Sequence, residues 1–187
     1  MSKSLTRKNN RLKNYNYSDN GFYFVTICTK DKKNIFGQYI NPVGAQRAVP
    51  ETVQEKTPKI NINQYGQIVC EEWKNTQYLR NNVKLDEFVI MPNHIHGIII
   101  INDTGTACCA PTGLVRGPVS CSLSAIIRSF KSAVTNRINK LRQTTKLPIW
   151  QRSFYDHVIR VDESLYKIRE YIRNNPATWD KDEYNEK

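Results

Sequence analysis

"VKLDEFVIMPNHIHGIIIIN", residues 83 to 102, holds the reading that decides the fold. Two apolar, β-branched stretches are separated by almost nothing around Pro92, so the segment predicts an antiparallel hairpin of strands 83–92 and 94–102. Two of the chain's three histidines, His94 and His96, open the second strand. Residues i and i+2 of a strand point to the same side, so the two imidazoles are neighbours on one face. Ile95 and alternate members of the isoleucine run point the other way, into a core. Taken alone, such a pair is more often two half-buried or surface histidines with no ligand. With a third ligand, the same pair reaches one metal ion.

Working outward, "GFYFVTICT", 21–29, is aromatic and β-branched and predicts a buried strand. "NIFGQYI" is read as a short extension or hairpin. "INQYGQIVCEEWKNTQYL", 62–79, becomes helical after Gly66, with Ile68, Val69, Trp73 and Leu79 on one face. A second helix starts at Ser122, where Leu123, Ile126, Ile127, Phe130, Val134, Ile138 and Leu141 recur at helical spacing. "IWQRSFYDHVIRV", 149–161, predicts a strand. Asp162 is the expected N-cap of a last helix that Pro176 ends. The order is βαββαβ. It predicts an α+β, ferredoxin-like antiparallel sheet with helices on one face and an appended C-terminal helix.

At 187 residues the chain is expected to form one domain, over 21–178. A basic N-terminal arm (1–20) precedes it and an acidic tail (179–187) follows. Two Pro/Gly-rich loop insertions are expected near 41–59 and 103–121. No apolar run is long enough for a membrane span, and the basic start has no apolar stretch after it, so a cytoplasmic protein with no membrane partner is expected. The five cysteines include an adjacent pair but no CxxC, which favours reduced thiols over a zinc site.

The net charge of +11 is unevenly spread. Residues 122–160 hold eight Lys/Arg and one acid, and the first 14 hold five Lys/Arg and none. A one-sided basic field favours a polyanion, most simply nucleic acid, over a merely solvated surface. Arg128, Lys131, Arg137, Arg152 and the arm residues Arg7, Lys8 and Arg11 are candidates to hold a phosphate backbone. Trp150, Phe154 and Tyr155 are candidate stacking platforms. Strand alternation allows at most one of Phe154 and Tyr155 that role, and the other is core.

In "DESLYKIREYIRNNP", 162–176, Leu165, Ile168 and Ile172 make the packing stripe. Tyr171 and Asn175 are four residues apart and share a face beside it. A tyrosine hydroxyl is a potential nucleophile, and an asparagine carbonyl suits a hard cation. Alone, the two also read as a boundary residue and a helix-end residue.

"MPNHIHGIII", "WQRSFYDHVIR" and "YIRNNP" occur in that order, after "NYSDNGFYFVTICT". Together they resemble the REP-associated tyrosine transposases, in the single-tyrosine branch of the HUH (His-hydrophobic-His) nucleases. The resemblance covers roughly residues 15–178 apart from the two long loops. It implies a transposase-like enzyme that cuts single-stranded DNA near hairpins. His94, His96 and Asn175 would hold Mg²⁺ or Mn²⁺, and Tyr171 would be the nucleophile. The intermediate implied is a 5′-phosphotyrosine with a free 3′-hydroxyl. His157 and Tyr155 fall in a family signature and are supporting candidates. The implied partner is single-stranded or hairpin DNA, handled by a monomer or a homodimer. Two other readings stand beside it: a non-catalytic binder of DNA or RNA hairpins on the same sheet, and a phosphoesterase using histidine-bound metal and water.

Overall fold

The computed structural model describes residues 11–40, 59–102 and 121–185. Arg7 and Lys8, with most of both long loops, lie outside the described residues. The elements run β1 (Gly21–Cys28), β2 (Gly37–Ile40), β3 (Lys59–Ile62), α1 (Gln64–Tyr78), β4 (Val83–Ile90), β5 (His94–Ile101), α2 (Leu123–Leu141), β6 (Tyr155–Ile159) and α3 (Asp162–Asn174). The main sheet has the order β4-β5-β1-β6, with every neighbour antiparallel. This is the expected ferredoxin-like topology, in which β5 separates the ends of one βαβ unit and β1 those of the other.

Alternation along the strands separates two apolar layers. Tyr23, Val25, Ile27, Ile95 and Ile99 join the larger core under α1 and α2, around Trp73, Ile126, Phe130 and Val134. Phe24, Ile98 and Ile159 face the other way and pack with Leu165 and Ile172 of α3. The first two helices therefore cover one face and the C-terminal helix covers the other. Arg169 and Arg173 of α3 also bond Asp86 and Glu87, at the bulge of β4 between Leu85 and Phe88.

Several boundaries differ from expectation. Lys59 begins β3, which pairs with β2 in a small second sheet. Helix α1 starts before Gly66, because the Asn63 side chain accepts from the amides of Tyr65 and Gly66 at 2.9 and 3.1 Å. Gly66 is a close-approach residue: a Cβ there would lie 2.3 Å from the Phe36 carbonyl oxygen. The strand expected over 149–161 is regular only from Tyr155. Before it, Trp150 bridges Thr29, and Lys131 Nζ takes the carbonyls of Gln151 and Ser153, both at 2.9 Å. Those carbonyls are thus used by an ammonium instead of a strand ladder. Val161, not Asp162, is the N-cap of α3. Helix α3 ends just before Pro176, as expected, but the chain continues in a 3₁₀ helix, Asn175–Lys181. Cys28 and Cys70 are free thiols, as expected, but Cys121 is disulfide-bonded. No helix among the described residues is long and apolar enough to cross a membrane.

Gly97 sits in mid-strand because the indole of Trp73 lies against it; a Cβ would fall 2.4 Å from Trp73 Cζ2. Gly97→Ala is expected to destabilise the fold by about 1–3 kcal/mol through overpacking, read as a lower urea midpoint at unchanged slope.

Candidate active site

His94 and His96 project from β5 on the α3 side of the sheet, and both are fully buried. Their Nε2 atoms are 3.0 Å apart. His94 Nδ1 bonds Asn93 Oδ1 at 2.7 Å, and His96 Nδ1 bonds Thr26 Oγ1 at 2.9 Å. The ring of Phe24 stacks on His96 at 5.4 Å. Burial pushes the His96 pKa down to about 3. Burial, then the neighbouring His96 and Lys32, pushes His94 down to about 2. Both imidazoles are therefore neutral near pH 7, the form that binds metal.

Helix α3 brings Tyr171 over this pair, with its hydroxyl 3.2 Å from His96 Nε2. The ring meets Phe24 edge-on at 6.2 Å, and the residue is 44% exposed. Burial raises the phenol pKa, helped by the charges of Asp182 and Glu183 and opposed by the Asn175 side chain.

The 3₁₀ helix then turns the chain back across the histidines. Trp179 stacks on His94 at 6.0 Å and Tyr184 covers it at 4.8 Å. Between them Asp182, its side chain 2% exposed, places a carboxylate oxygen 3.8 Å from His94 Nε2. Burial raises the Asp182 pKa, against the lowering effect of the Tyr184 amide and Asn175.

His94, His96 and Asp182 each offer one ligand atom, all within 4.8 Å of one another. The residues fit a divalent ion on three grounds. Two imidazole nitrogens and a carboxylate oxygen form a suitable donor set. An octahedral ion binding at about 2.1 Å holds adjacent ligands about 3.0 Å apart, the spacing of the imidazoles. Asp182 Oδ2 and both amide atoms of Asn175 are buried with no hydrogen-bond partner. Asn175 itself is 1% exposed and lies close enough to Tyr171 and Asp182 to favour their ionised forms, without a hydrogen bond to either within ordinary limits.

Asp182 is the site residue that sequence reasoning missed. It stood among the acids of the expected acidic tail, 179–187. The available signal was its flanks: Trp179 and Tyr184 are aromatic residues in an otherwise polar stretch, a sign that the segment packs.

The basic candidates are not gathered at this site. Arg128, Lys131 and Arg137 lie on α2, across the sheet from the histidines. Arg137 bonds Glu71 and Glu72 of α1 at 2.5 and 2.7 Å. Lys131 is committed to Gln151 and Ser153, and burial lowers its pKa to about 8. Arg128 is exposed and lines an open groove with Arg80. Arg152 is exposed in a shallow depression beside Lys30. Arg11 lies 3.6 Å from Asp156 and over the rings of Tyr17 and Phe154.

Of the aromatic candidates, Trp150 is core, between Phe36 and Phe130. Phe154 packs against that core under Arg11 and Lys131. Tyr155 is 41% exposed, on the histidine face, with its ring edge-on to Phe24. His157 is exposed on the same face of β6 and stands opposite Phe24 in the ladder.

No family model matches the chain. An uncharacterized protein of Haemophilus influenzae is 38% identical over 183 residues, which span 95% of this chain and 92% of that one. The chain belongs to the same family as that protein. Among solved structures, a REP-associated tyrosine transposase bound to a REP hairpin superposes with a TM-score of 0.56 at 16% identity. The match covers 90% of this chain and 73% of the other. The shared property is the fold. A putative transposase from Deinococcus radiodurans superposes more loosely, with a TM-score of 0.43 at 14% identity over 88% of this chain and 95% of the other.

Proposed function

We propose that this protein is a metal-dependent, transposase-like endonuclease and strand transferase acting on single-stranded DNA near hairpins. The observation that carries the reading is the hydroxyl of a partly exposed tyrosine 3.2 Å from His96 Nε2, in a buried histidine pair able to bind metal. A nucleophile and a candidate ion site meet there at one point on the sheet.

Tyr171 Oη attacks the scissile phosphorus. The Tyr171 oxygen–phosphorus bond forms as the bond from phosphorus to the 3′-oxygen breaks, giving a 5′-phosphotyrosine. The phenol loses its proton and the departing strand end leaves as a 3′-hydroxyl. The reverse step joins strands without ATP, because the covalent link conserves the phosphodiester. His94, His96 and Asp182 are the residues that would hold Mg²⁺ or Mn²⁺. Such an ion would polarise the phosphate and neutralise charge on its oxygens. Asn175, buried beside the tyrosine, favours the ionised phenol and is the remaining candidate ligand. Phe24 supports the Tyr171 ring, and the exposed Tyr155 offers a surface for an unpaired base. Arg152, Arg128 and the arm residues Arg7, Lys8 and Arg11 remain the proposed contacts to the DNA backbone. His157 is proposed to support the same face. We place the reaction in the cytoplasm, carried out by a monomer or a homodimer.

Incubation with hairpin-tailed single strands from the gene's own flanks, with Mg²⁺ or Mn²⁺, is expected to leave protein covalently attached to a 5′ end on a denaturing gel. Turnover without an adduct would instead support a water-using phosphoesterase. Tight hairpin binding without cleavage would support a non-catalytic binder.

A further inference from the structure

Asn93, immediately before the histidine pair, is 1% exposed and has both ends of its amide committed. Nδ2 donates to two backbone carbonyls, of Lys32 at 3.0 Å and of Tyr184 at 2.7 Å. Carbonyls only accept, so the orientation of the amide is determined and its oxygen is the atom that faces His94 Nδ1, at 2.7 Å. An amide oxygen also only accepts. Neutral His94 must therefore carry its proton on Nδ1 and leave Nε2 bare, aimed at His96 and Asp182. The carbonyl held at the other end of the amide belongs to Tyr184, two residues past Asp182.

We infer that Asn93 is a positioning residue for the metal site: it aims the bare nitrogen of His94 and anchors the chain segment that delivers Asp182. The metal role rests on the reading that this cluster binds a divalent ion. His96 is built differently, because its Nδ1 partner is the Thr26 hydroxyl, which can donate or accept. Facing a bare nitrogen 3.0 Å away, His96 carries its proton on Nε2 in the metal-free protein, with the Tyr171 hydroxyl, 3.2 Å from the same atom, as a second acceptor. It shifts that proton to Nδ1 when an ion binds, and Thr26 reverses its hydrogen bond. His94 has no such freedom.

The test is long-range proton–nitrogen NMR of the histidine rings in the full chain. Its three histidines give three patterns, and exposed His157 serves as the reference. The expected result is His94 protonated on Nδ1 with and without Mg²⁺, while His96 moves its proton from Nε2 to Nδ1 on saturation. Asn93→Asp, in its ionised form, keeps an acceptor for His94 but has no donor for Tyr184, so it is measured above the carboxyl pKa. Its His94 pattern should be retained, while amides of residues 179–185 exchange about ten-fold faster. Asn93→Ala should lose both functions and weaken Mn²⁺ binding by roughly 10–100-fold. His94 protonated on Nε2 in the unmodified protein, or unchanged exchange in Asn93→Asp, would overturn the inference. None of these readouts involves DNA. An absence of divalent-ion binding by calorimetry would defeat the metal reading, while the ring patterns and exchange rates would still decide whether Asn93 positions His94 and the segment.

Discussion

Tyr171→Phe is expected to abolish the covalent protein–DNA product, a fall of roughly 10⁴–10⁶-fold, while leaving the protein folded and able to bind metal. The variant removes one oxygen. The ring keeps its edge contact with Phe24, and α3 keeps the Leu165 and Ile172 packing that seats it on the sheet. The residue is 44% exposed, so loss of its hydroxyl leaves no orphaned donor deep in the core. The bond given up is the one to His96 Nε2, which points into the candidate ion site. Loss of a nucleophile with its surroundings intact typically removes nearly all of the catalysed rate, because the remaining groups cannot replace the covalent step. The measurement is a denaturing gel with labelled hairpin-tailed single strands, beside Mn²⁺ calorimetry of both proteins. An adduct that survives in Tyr171→Phe would move the nucleophile to Tyr155. That residue is exposed on the same sheet face and its ring also meets Phe24 edge-on.

His96→Ala should have a comparably large effect through a different quantity. It is expected to weaken Mn²⁺ binding by at least about 100-fold and to remove cleavage, with hairpin binding nearly unchanged. His96 lies at the centre of the cluster, in contact with His94, Thr26 and Tyr171 and stacked on Phe24. Its loss also opens a buried space, so thermal melting must accompany calorimetry; a stable variant that binds no metal separates ligand loss from unfolding. Asp182→Asn and Asn175→Ala, compared in the same titration, decide which residue completes the set. Donor chemistry favours the larger loss for Asp182→Asn, since only that change removes a negative charge from beside the ion. Unaltered Mn²⁺ affinity in His96→Ala would sink the metal site. Unaltered cleavage would show that the reaction does not depend on that site.

The same contrast separates what local pattern can express from what it cannot. The two-residue period of β5 put His94 and His96 together on one face with Ile95 and Ile99 in the core, and the structure agrees. The apolar spacing of α2 and its start near Ser122 were likewise legible, because both depend on residues within a turn or two of one another. Burial of the α3 stripe followed from the same rule. Lys131 and Arg137 show the limit. The sequence made them candidates to hold a phosphate backbone but could not show their partners within the fold: the carbonyls before β6 for one and the carboxylates of α1 for the other. An ion pair depends on where another helix lies, and charge patterning along one helix carries no record of that.

By itself, then, the sequence determined the order of the main-sheet strands and their helices and the face on which the histidines stand, since each follows from periodicities of two and 3.6 residues. Only the tertiary structure decided what surrounds those histidines. Thr26 orients the His96 ring from the neighbouring strand β1, and Asn93, in the turn before β5, orients that of His94 only because Lys32 and Tyr184 hold its amide. Tyr171 arrives from a helix 75 positions later in the chain. Asp182 arrives because a 3₁₀ helix after Asn174 turns the tail back, where Trp179 and Tyr184 bury it against His94. A site assembled across such separations depends on chain reversal and packing, which no local repeat encodes.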